Sequence, residues 1–301
     1  MKSDERQALI NSWRKPSSEA EKERQDLAEK KVKDAIAGYP PFSSMSHRIF
    51  PKGSYANNTN VRLDSDVDIV FECNEAFYHD YFGTQPNPLP ITTPYAGIWT
   101  PPYLRSELEK ALKNYFGLSE VIAGDVALTI KEKEGVRPSV DVVPAFLYYR
   151  YDTPDQSIKH QGNKTFRKSG TGIINWPEQQ LRNGIQKNID SGHRYKDFVR
   201  VLKRAENMLV KANVIGELPS YLMECLIWNV PNSILQQRTL EEDFQITLDW
   251  MWEKLTNSYD KEDWIEPNQL KYLFHEKAKW TIDDAKLLIK ETWDLMGYQN
   301  A

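Results

Sequence analysis

The spacing of apolar positions changes along the chain. The first segment with a clear pattern is long, highly charged and close to the N-terminus. Residues 19–37 are charged on most sides but keep a thin apolar stripe at helical spacing. Ser18 and Glu21 fit a capping box before this segment, and Gly38 fits a C-terminal cap after it. The pattern predicts one long helix lying across the outside of the molecule.

The middle of the chain alternates between strand and helix patterns. An alternating apolar strand is predicted at 67–71, and a proline-rich, loop-like segment follows at 74–102. A helix closed by a glycine is predicted at 103–117. Residues 125–149 then predict two strands joined by a charged turn at 131–135. This mixture of elements is typical of a unit built on a sheet with helices packed against it.

The last part of the chain predicts a different kind of unit. Residues 150–195 are polar and irregular, whereas from Lys196 onward apolar residues recur at helical spacing. The predicted fold class is therefore α+β: a mixed-sheet lobe, a helical second lobe and a long N-terminal helix, with the functional site in a cleft between the lobes. We expect a helical region at 1–40 that spans the lobes, the sheet lobe at 41–190 and the helical lobe at 191–301.

Composition narrows the class of protein. The 301 residues carry a net charge of −4 with a pI near 5.8, which argues against a protein held mainly by bulk attraction to nucleic acid or anionic lipid. Cys73 and Cys225 lie far apart, so neither a disulfide framework nor a zinc site is expected. The sequence shows no signal peptide or membrane span. We expect a cytoplasmic protein that has no membrane partner.

Aspartates cluster where the predicted strand at 67–71 begins. Asp66 and Asp68 project from one face of an extended chain because they are two residues apart, whereas Asp64 is expected in the preceding turn. Asp141 lies between valines on a second predicted strand, where a charge is costly unless it is paired or binds metal. If these strands are neighbours, three carboxylates converge. Such a site suits two Mg²⁺ ions, or Mn²⁺ in their place, because oxygen-only ligands favour these ions over zinc.

A Gly-Ser pair, Gly53 and Ser54, ends twelve residues before Asp66. In such a turn, backbone N–H groups and a hydroxyl can meet the oxygens of a triphosphate. A lone D-x-D sequence is more often a loop than a metal site, and a lone Gly-Ser pair is nearly uninformative. The ordered combination of the pair, the D-x-D sequence and a distant Asp141 on another strand is much more specific, and it indicates phosphoryl transfer.

These motifs resemble the polymerase-β-type nucleotidyltransferase superfamily. The resemblance lies in GSYANNTNVRLDSDVDIV followed by SVDVVPAF. It is closer to the bacterial cGAS/DncV-like nucleotidyltransferases of antiphage signalling (CD-NTases), and closest to their CdnE clade. Three further segments support that branch: NWPEQQLRNGIQKN, RYKDFVRVLKRAEN and LPSYLMECLIWNVPN. The likeness covers roughly residues 15–235 in order. The final part of the chain shares the helical pattern of the family more than any specific motif.

The resemblance implies a role for each residue of the acidic and Gly-Ser motifs. Gly53 and Ser54 would hold the triphosphate of the donor nucleotide. Asp66 and Asp68 would bind both metal ions, and Asp141 would bind the ion that activates the attacking hydroxyl. The sheet lobe would accordingly be the catalytic, palm-like lobe.

The resemblance also implies contacts from other segments. Lys203 and Ser220 would meet the triphosphate from the second lobe. Asn175 is the candidate for a base-pocket asparagine that is associated with pyrimidine choice, and a turn residue before Trp-Pro explains it equally well. Lys203 shares a polar helical face with Arg200, Arg204 and Asn207, and a merely solvated basic edge is the alternative for that face.

The family makes cyclic di- or trinucleotide messengers from nucleoside triphosphates and releases pyrophosphate, so the expected partners are NTP substrates. The zinc insertion of the animal relatives is absent, and no basic, aromatic-interleaved stretch stands out. We therefore expect no DNA or RNA activator element. We also expect a monomer, with effector or ancillary proteins encoded in the same operon as its protein partners.

Two alternatives compete with cyclic oligonucleotide synthesis. The first is a nucleotidyltransferase that modifies another hydroxyl acceptor, such as an RNA end, a protein or a small molecule. The second is a catalytically silent nucleotide-binding module. The presence of all three aspartates argues against the silent module, because a binder has no need to keep a costly cluster of carboxylates.

Overall fold

The computed structural model divides the chain into two compact units. It describes residues 1–61, 66–81, 94–153 and 155–300. The sheet unit comprises Ser18–Tyr55 and Leu63–Gln179. The helical unit comprises Met1–Ser17, Ala56–Arg62 and Gln180–Ala301. Across the described residues, no helix is both long enough and apolar enough to span a membrane.

Seven strands and ten α-helices occur in the described part of the chain. The strands are β1 His47–Lys52, β2 Val67–Tyr81, β3 Val121–Ala123, β4 Leu128–Ile130, β5 Val140–Tyr151, β6 Lys159–Phe166 and β7 Gly172–Asn175. The helices are α1 Ser3–Trp13, α2 Glu19–Ala37, α3 Gly53–Ala56, α4 Pro101–Phe116, α5 Pro177–Asp190, α6 Arg194–Lys211, α7 Ser220–Asn229, α8 Asn232–Leu235, α9 Leu240–Thr256 and α10 Ile282–Met296.

The sheet is mixed, with the order β1-β2-β5-β4-β3 and with β6 and β7 added beside the second half of β5. Only the β2–β5 pair among these strands is parallel. Parallel neighbours start from the same edge of a sheet, so the N-terminal ends of β2 and β5 lie side by side. The mixed sheet and the helical unit confirm the predicted fold class.

One face of the sheet is buried beneath α2 and α4. On β2, Val67, Ile69 and Phe71 are fully buried and pack in a core with leucines of α4 and small apolar residues of α2. Because side chains alternate along a strand, Asp68 projects from the opposite face. The apolar alternation that builds this core therefore also fixes where the acidic residues point.

The predicted long helix is confirmed as α2. The Ser18 hydroxyl accepts a bond from the backbone N–H of Glu21, whose carboxylate in turn accepts one from the Ser18 N–H, as a capping box requires. Gly38 is the C-cap with φ −79°, so it ends the helix without the left-handed conformation that glycine often supplies. A separate helix, α1, precedes α2 and belongs to the helical unit.

The helix predicted at 103–117 and the two strands around 131–135 are also confirmed, as α4 and as β4 with β5. The loop predicted from residue 74 was wrong up to Tyr81, because β2 continues to that residue. Its pairing with β5 shifts register between Cys73 and Phe77. The polar residues there mark an irregularity within a strand rather than its end.

The irregular structure predicted at 150–195 was also wrong, since this segment forms the end of β5, then β6, β7 and all of α5. Strand β6 is polar, but two of its lysines lie over aromatic rings of other strands in the same sheet: Lys159 over Tyr149 of β5 and Lys164 over Tyr78 of β2, each at 5.0 Å. Cation–π contacts let charged residues cover a sheet face. An apolar alternation was therefore not required for this strand to form.

The helical unit has its own core, to which α1, α6, α7, α9 and α10 all contribute. On α6, Phe198, Val201 and Leu202 are fully buried, as their helical spacing predicted. The division at 1–40, 41–190 and 191–301 stays a prediction.

Candidate active site

The central pair of the candidate site is Asp68 on β2 and Asp141 on β5. The two residues are direct partners in the register of the parallel strands, and both are half-buried. Neighbouring strands lie about 4.8 Å apart, so carboxylates in register on one face come close together. The Thr129 hydroxyl on β4 donates a bond of 2.5 Å to Asp141 Oδ1, which orients that carboxylate from the far side.

The charges around Asp68 work against one another. Burial raises the pKa of the Asp68 carboxyl, the Lys52 ammonium lowers it, and the negative charges of Asp141 and Asp66 raise it further. Lys52 is the register partner of Asp68 on β1, so Asp68 has a cation on one side and a carboxylate on the other. One lysine does not balance three acids, and the site favours an additional positive charge.

Gly53 brings the end of β1 against the same carboxylate. It adopts φ +67°, and a Cβ placed on it would stand 2.6 Å from Asp68 Oδ2. A side chain at position 53 would therefore collide with the acid and strain the backbone. Ser54 follows on the short helix α3, so the Gly-Ser turn lies beside the acidic pair as the sequence predicts.

Asp66 is exposed just before β2, and its charge reaches Asp68. In the ranges that the structure describes, no three His, Cys, Asp or Glu side chains form a group able to hold a metal ion. The structure thus brings Asp68 and Asp141 together without forming the complete three-aspartate group, which stays a prediction. Asp64, expected in the preceding turn, lies outside the described residues.

The other predicted site residues, Ser220, Asn175 and Lys203, differ from one another in how far they are buried. Ser220 is exposed at the first position of α7, and Asn175 is half-buried on β7 opposite Asn163. Lys203 is only 3% exposed, and its ammonium donates to the backbone carbonyl of Thr59 at 3.1 Å. Because Arg200 is similarly buried, the alternative of a merely solvated face is wrong for these two residues.

Three residues near the site were missed by the sequence analysis. Lys52 and Thr129 reach the acids because their strands pair with β2 and β5, and no local sequence pattern specifies that pairing. The Tyr55 hydroxyl, next to Ser54, donates to Asp26 at 2.5 Å and to Glu29 at 3.2 Å on α2. The sequence feature that could have identified Tyr55 is its position directly after the Gly-Ser pair, where an aromatic side chain can anchor the turn.

Comparisons with known proteins identify the family of this chain. Residues 182–297 match the family model of the cGAS/DncV-like nucleotidyltransferase C-terminal helical domain. The chain is 34% identical over 296 residues to a cyclic dipyrimidine nucleotide synthase CdnE of Cecembia lonarensis, covering 96% of this chain and 97% of that one. It is 35% identical over 286 residues to the enzyme of the same name from Legionella pneumophila, covering 94% and 95%.

A solved structure extends the likeness to three dimensions. The CdnE cyclic dinucleotide synthase of Elizabethkingia meningoseptica, determined with GTP and Apcpp, superposes with a TM-score of 0.80 at 29% identity. The match covers 97% of this chain and 98% of that one.

The fold and these relatives together define a nucleotidyltransferase. More specifically, the chain belongs to the cGAS/DncV-like nucleotidyltransferases, the CD-NTases, and its relatives are CdnE enzymes that synthesise cyclic nucleotides. The family resemblance inferred from the sequence motifs is confirmed.

Enzymes of this family use divalent metal ions, and the residues on the sheet fit such an ion. The donors are carboxylate oxygens alone, the set that Mg²⁺ and Mn²⁺ prefer. Asp68 and Asp141 stand in register, and the missing side chain of Gly53 leaves Asp68 Oδ2 uncovered on that side. A divalent cation would relieve the repulsion between the two acids.

Proposed function

We propose that this enzyme joins nucleoside triphosphates into a cyclic di- or trinucleotide and releases pyrophosphate, as part of an antiphage (CBASS) signalling system. The observation that carries the proposal is the in-register pairing of Asp68 with Asp141, with Gly53 against Asp68. Asp66, Asp68 and Asp141 are the residues that would hold two Mg²⁺ ions. Family membership supports the assignment because the relatives are named as cyclic nucleotide synthases.

The proposed reaction is a phosphoryl transfer. A 3′ or 2′ hydroxyl of one nucleotide attacks the α-phosphorus of another, a new O–P bond forms, the bond to pyrophosphate breaks, and the hydroxyl proton passes to water. Bound divalent cations would polarise the phosphate oxygens and acidify the attacking hydroxyl. The protein's part is to hold the acids: Thr129 fixes one oxygen of Asp141, and Lys52 offsets part of the charge on Asp68.

The triphosphate is assigned to the Gly-Ser turn. Without a side chain, the backbone at Gly53 allows a phosphate group to approach the acidic pair, and the Ser54 hydroxyl and N–H would bind its oxygens. Ser220, exposed at the start of α7, would add a further hydroxyl. Lys203 is assigned to the same role, and its buried ammonium also bonds the backbone carbonyl of Thr59.

We expect the products of this enzyme to contain pyrimidine nucleotides. Both named CdnE relatives at 34% and 35% identity are dipyrimidine synthases, whereas the solved CdnE from Elizabethkingia meningoseptica holds purine nucleotides. Base choice rests on a few pocket contacts. Asn175 is the proposed contact because a half-buried amide can both donate to and accept from a base edge.

Product analysis tests the proposal. We expect purified enzyme, supplied with Mg²⁺ and an equimolar mixture of the four NTPs, to form phosphatase-resistant products whose masses equal cyclic di- or trinucleotides, with UMP or CMP units among them. Asn175→Ser should shift the base composition while leaving cyclisation intact. Linear tailing of added RNA, transfer to another acceptor, or NTP binding without pyrophosphate release would each contradict cyclic synthesis.

A further inference from the structure

A buried polar network holds the short segment between the Gly-Ser turn and the D-x-D motif. Within it, Asn57 and Thr59 are 3% and 0% exposed, respectively. Asn57 lies three residues after Ser54, and Thr59 lies seven residues before Asp66. The proposed function places a phosphate-binding residue, Ser54, just before this segment, so the conformation of the segment bears on that residue.

Glu224 of α7 is the acceptor at the centre of the network. Its carboxylate is 3% exposed and accepts bonds from Asn57 Nδ2 at 2.9 Å and from the Thr59 hydroxyl at 3.2 Å. Gln180 Nε2 donates a third bond at 2.8 Å. A buried carboxylate is costly unless it is fully hydrogen-bonded, and here two of its three donors come from one short stretch of chain.

Two buried cations of α6 hold the backbone of the same segment. Arg200 Nη1 donates to the carbonyl of Asn58 at 2.6 Å, and Lys203 Nζ donates to the carbonyl of Thr59 at 3.1 Å. Asn58 adopts φ +53°, a left-handed conformation that asparagine tolerates at some cost. The carbonyls of two consecutive residues, at and after this kink, are thus held by buried cations.

The charges of the network compensate each other. Burial lowers the pKa of Lys203 to about 8, the Glu224 carboxylate opposes that shift, and the Arg200 charge adds to it. A buried lysine without a nearby carboxylate would be still harder to keep charged. Glu224 and Lys203 therefore depend on each other, and Thr59 bonds to both of them.

We propose that Asn57, Thr59, Lys203 and Glu224 form a clamp that fixes the conformation of residues 57–60 and, through the short helix α3 that directly precedes them, of Ser54. The proposal rests on the function given above. In it, Lys203 acts as a positioning residue on Thr59. Glu224 is a second positioning residue, and the motif resemblance gave it no role.

A double-mutant cycle tests the clamp, with kcat/KM for product formation measured at 25 °C and folding checked by circular dichroism and urea unfolding. Thr59→Val and Lys203→Met should each lower kcat/KM roughly 10- to 30-fold, as loss of buried hydrogen bonds to a charged group predicts. The double variant should be little worse than the poorer single variant, since both changes break one unit. Thr59→Ser keeps the hydroxyl and should stay within about twofold of wild type.

Lys187→Met is the matched control. Lys187 also has a pKa that burial lowers to about 8, and it also bonds a backbone carbonyl, that of Val230 at 2.6 Å. It lies outside the clamp, so this variant should change kcat/KM by less than about twofold even if its unfolding free energy falls. If Lys187→Met lost as much activity as Lys203→Met, general destabilisation of the protein would explain both losses, and the proposal would be overturned.

Other outcomes are equally decisive. If the effects of Thr59→Val and Lys203→Met multiply in the double variant, Lys203 acts independently of Thr59 and the clamp is wrong. If Lys203→Met does not fold, the comparison of Thr59→Val with Thr59→Ser decides, because equal activity of those two variants contradicts the clamp. A wild-type enzyme that makes no product would instead contradict the proposed function, which is a different result from a failure of the clamp.

Discussion

Replacing either member of the acidic pair, by Asp68→Asn or Asp141→Asn, is expected to lower the rate of pyrophosphate release by about 10³-fold or more. Asparagine keeps the size and one acceptor oxygen, so the Thr129 bond to position 141 can persist. What is lost is the charge that holds a divalent cation, and such a cation contributes several kcal/mol to stabilising a phosphoryl transfer. The measurement is steady-state pyrophosphate release at saturating NTP and Mg²⁺.

The control for this prediction is stability. Because each substitution removes one of two neighbouring like charges, the free energy of unfolding at pH 7 should not fall. Unfolding in urea, monitored by tryptophan fluorescence, checks this. An Asp68→Asn or Asp141→Asn enzyme that keeps a tenth of the wild-type rate would show that the pair does not hold the catalytic cation.

Gly53→Ala should cost about 100-fold in kcat/KM, whereas Gly135→Ala should leave it unchanged. Both glycines have nearly the same positive φ, +67° and +69°, so alanine strains the backbone about equally, by roughly 1 kcal/mol. Only at position 53 would the new methyl meet Asp68 Oδ2, at 2.6 Å, whereas nothing lies within 4 Å at position 135. Moving a catalytic group by about 1 Å is enough for such a loss.

The pair of glycine variants separates a local collision from general strain. Their melting temperatures should fall by similar amounts, while only Gly53→Ala loses activity. Equal activity of the two variants would mean that the space at Gly53 is not needed for catalysis. A large loss in Gly135→Ala would instead point to backbone strain as the cause.

Local patterns were enough to predict α2, α4 and the acidic strand. The capping box at Ser18, the terminal glycine of α4 and the alternation through Val67 and Ile69 each act within a few residues, and sequence analysis can detect such signals. The same alternation placed Asp68 on the face opposite the core. The central pair could therefore be named from the sequence.

Long-range pairing explains what the sequence did not predict. Strand β6 is stabilised between β5 and β7 and by lysines lying on aromatic rings, so its own composition resembles a loop. The contacts of Thr129 with Asp141 and of Lys52 with Asp68 depend on strand order, which no local pattern fixes.

Glu224 illustrates the same limit in a helix. It stands among apolar residues in the LMECLIWN stretch of α7, and a lone acid in such a stretch signals a buried, paired charge. Its partners, Asn57 and Thr59, are more than 160 positions away in the chain, at separations of 167 and 165. The sequence could indicate that Glu224 has partners, but only the folded helical unit identifies them.

The central claim is that Asp68 and Asp141 together hold the cation of a nucleotidyltransferase. The most direct measurement is the anomalous diffraction of Mn²⁺ in crystals grown with a non-hydrolysable NTP analogue. The account predicts one manganese ion bound to carboxylate oxygens of both residues in the wild-type enzyme, and the loss of that shared ion in Asp141→Asn. Manganese bound elsewhere, or bound equally well in Asp141→Asn, would contradict it.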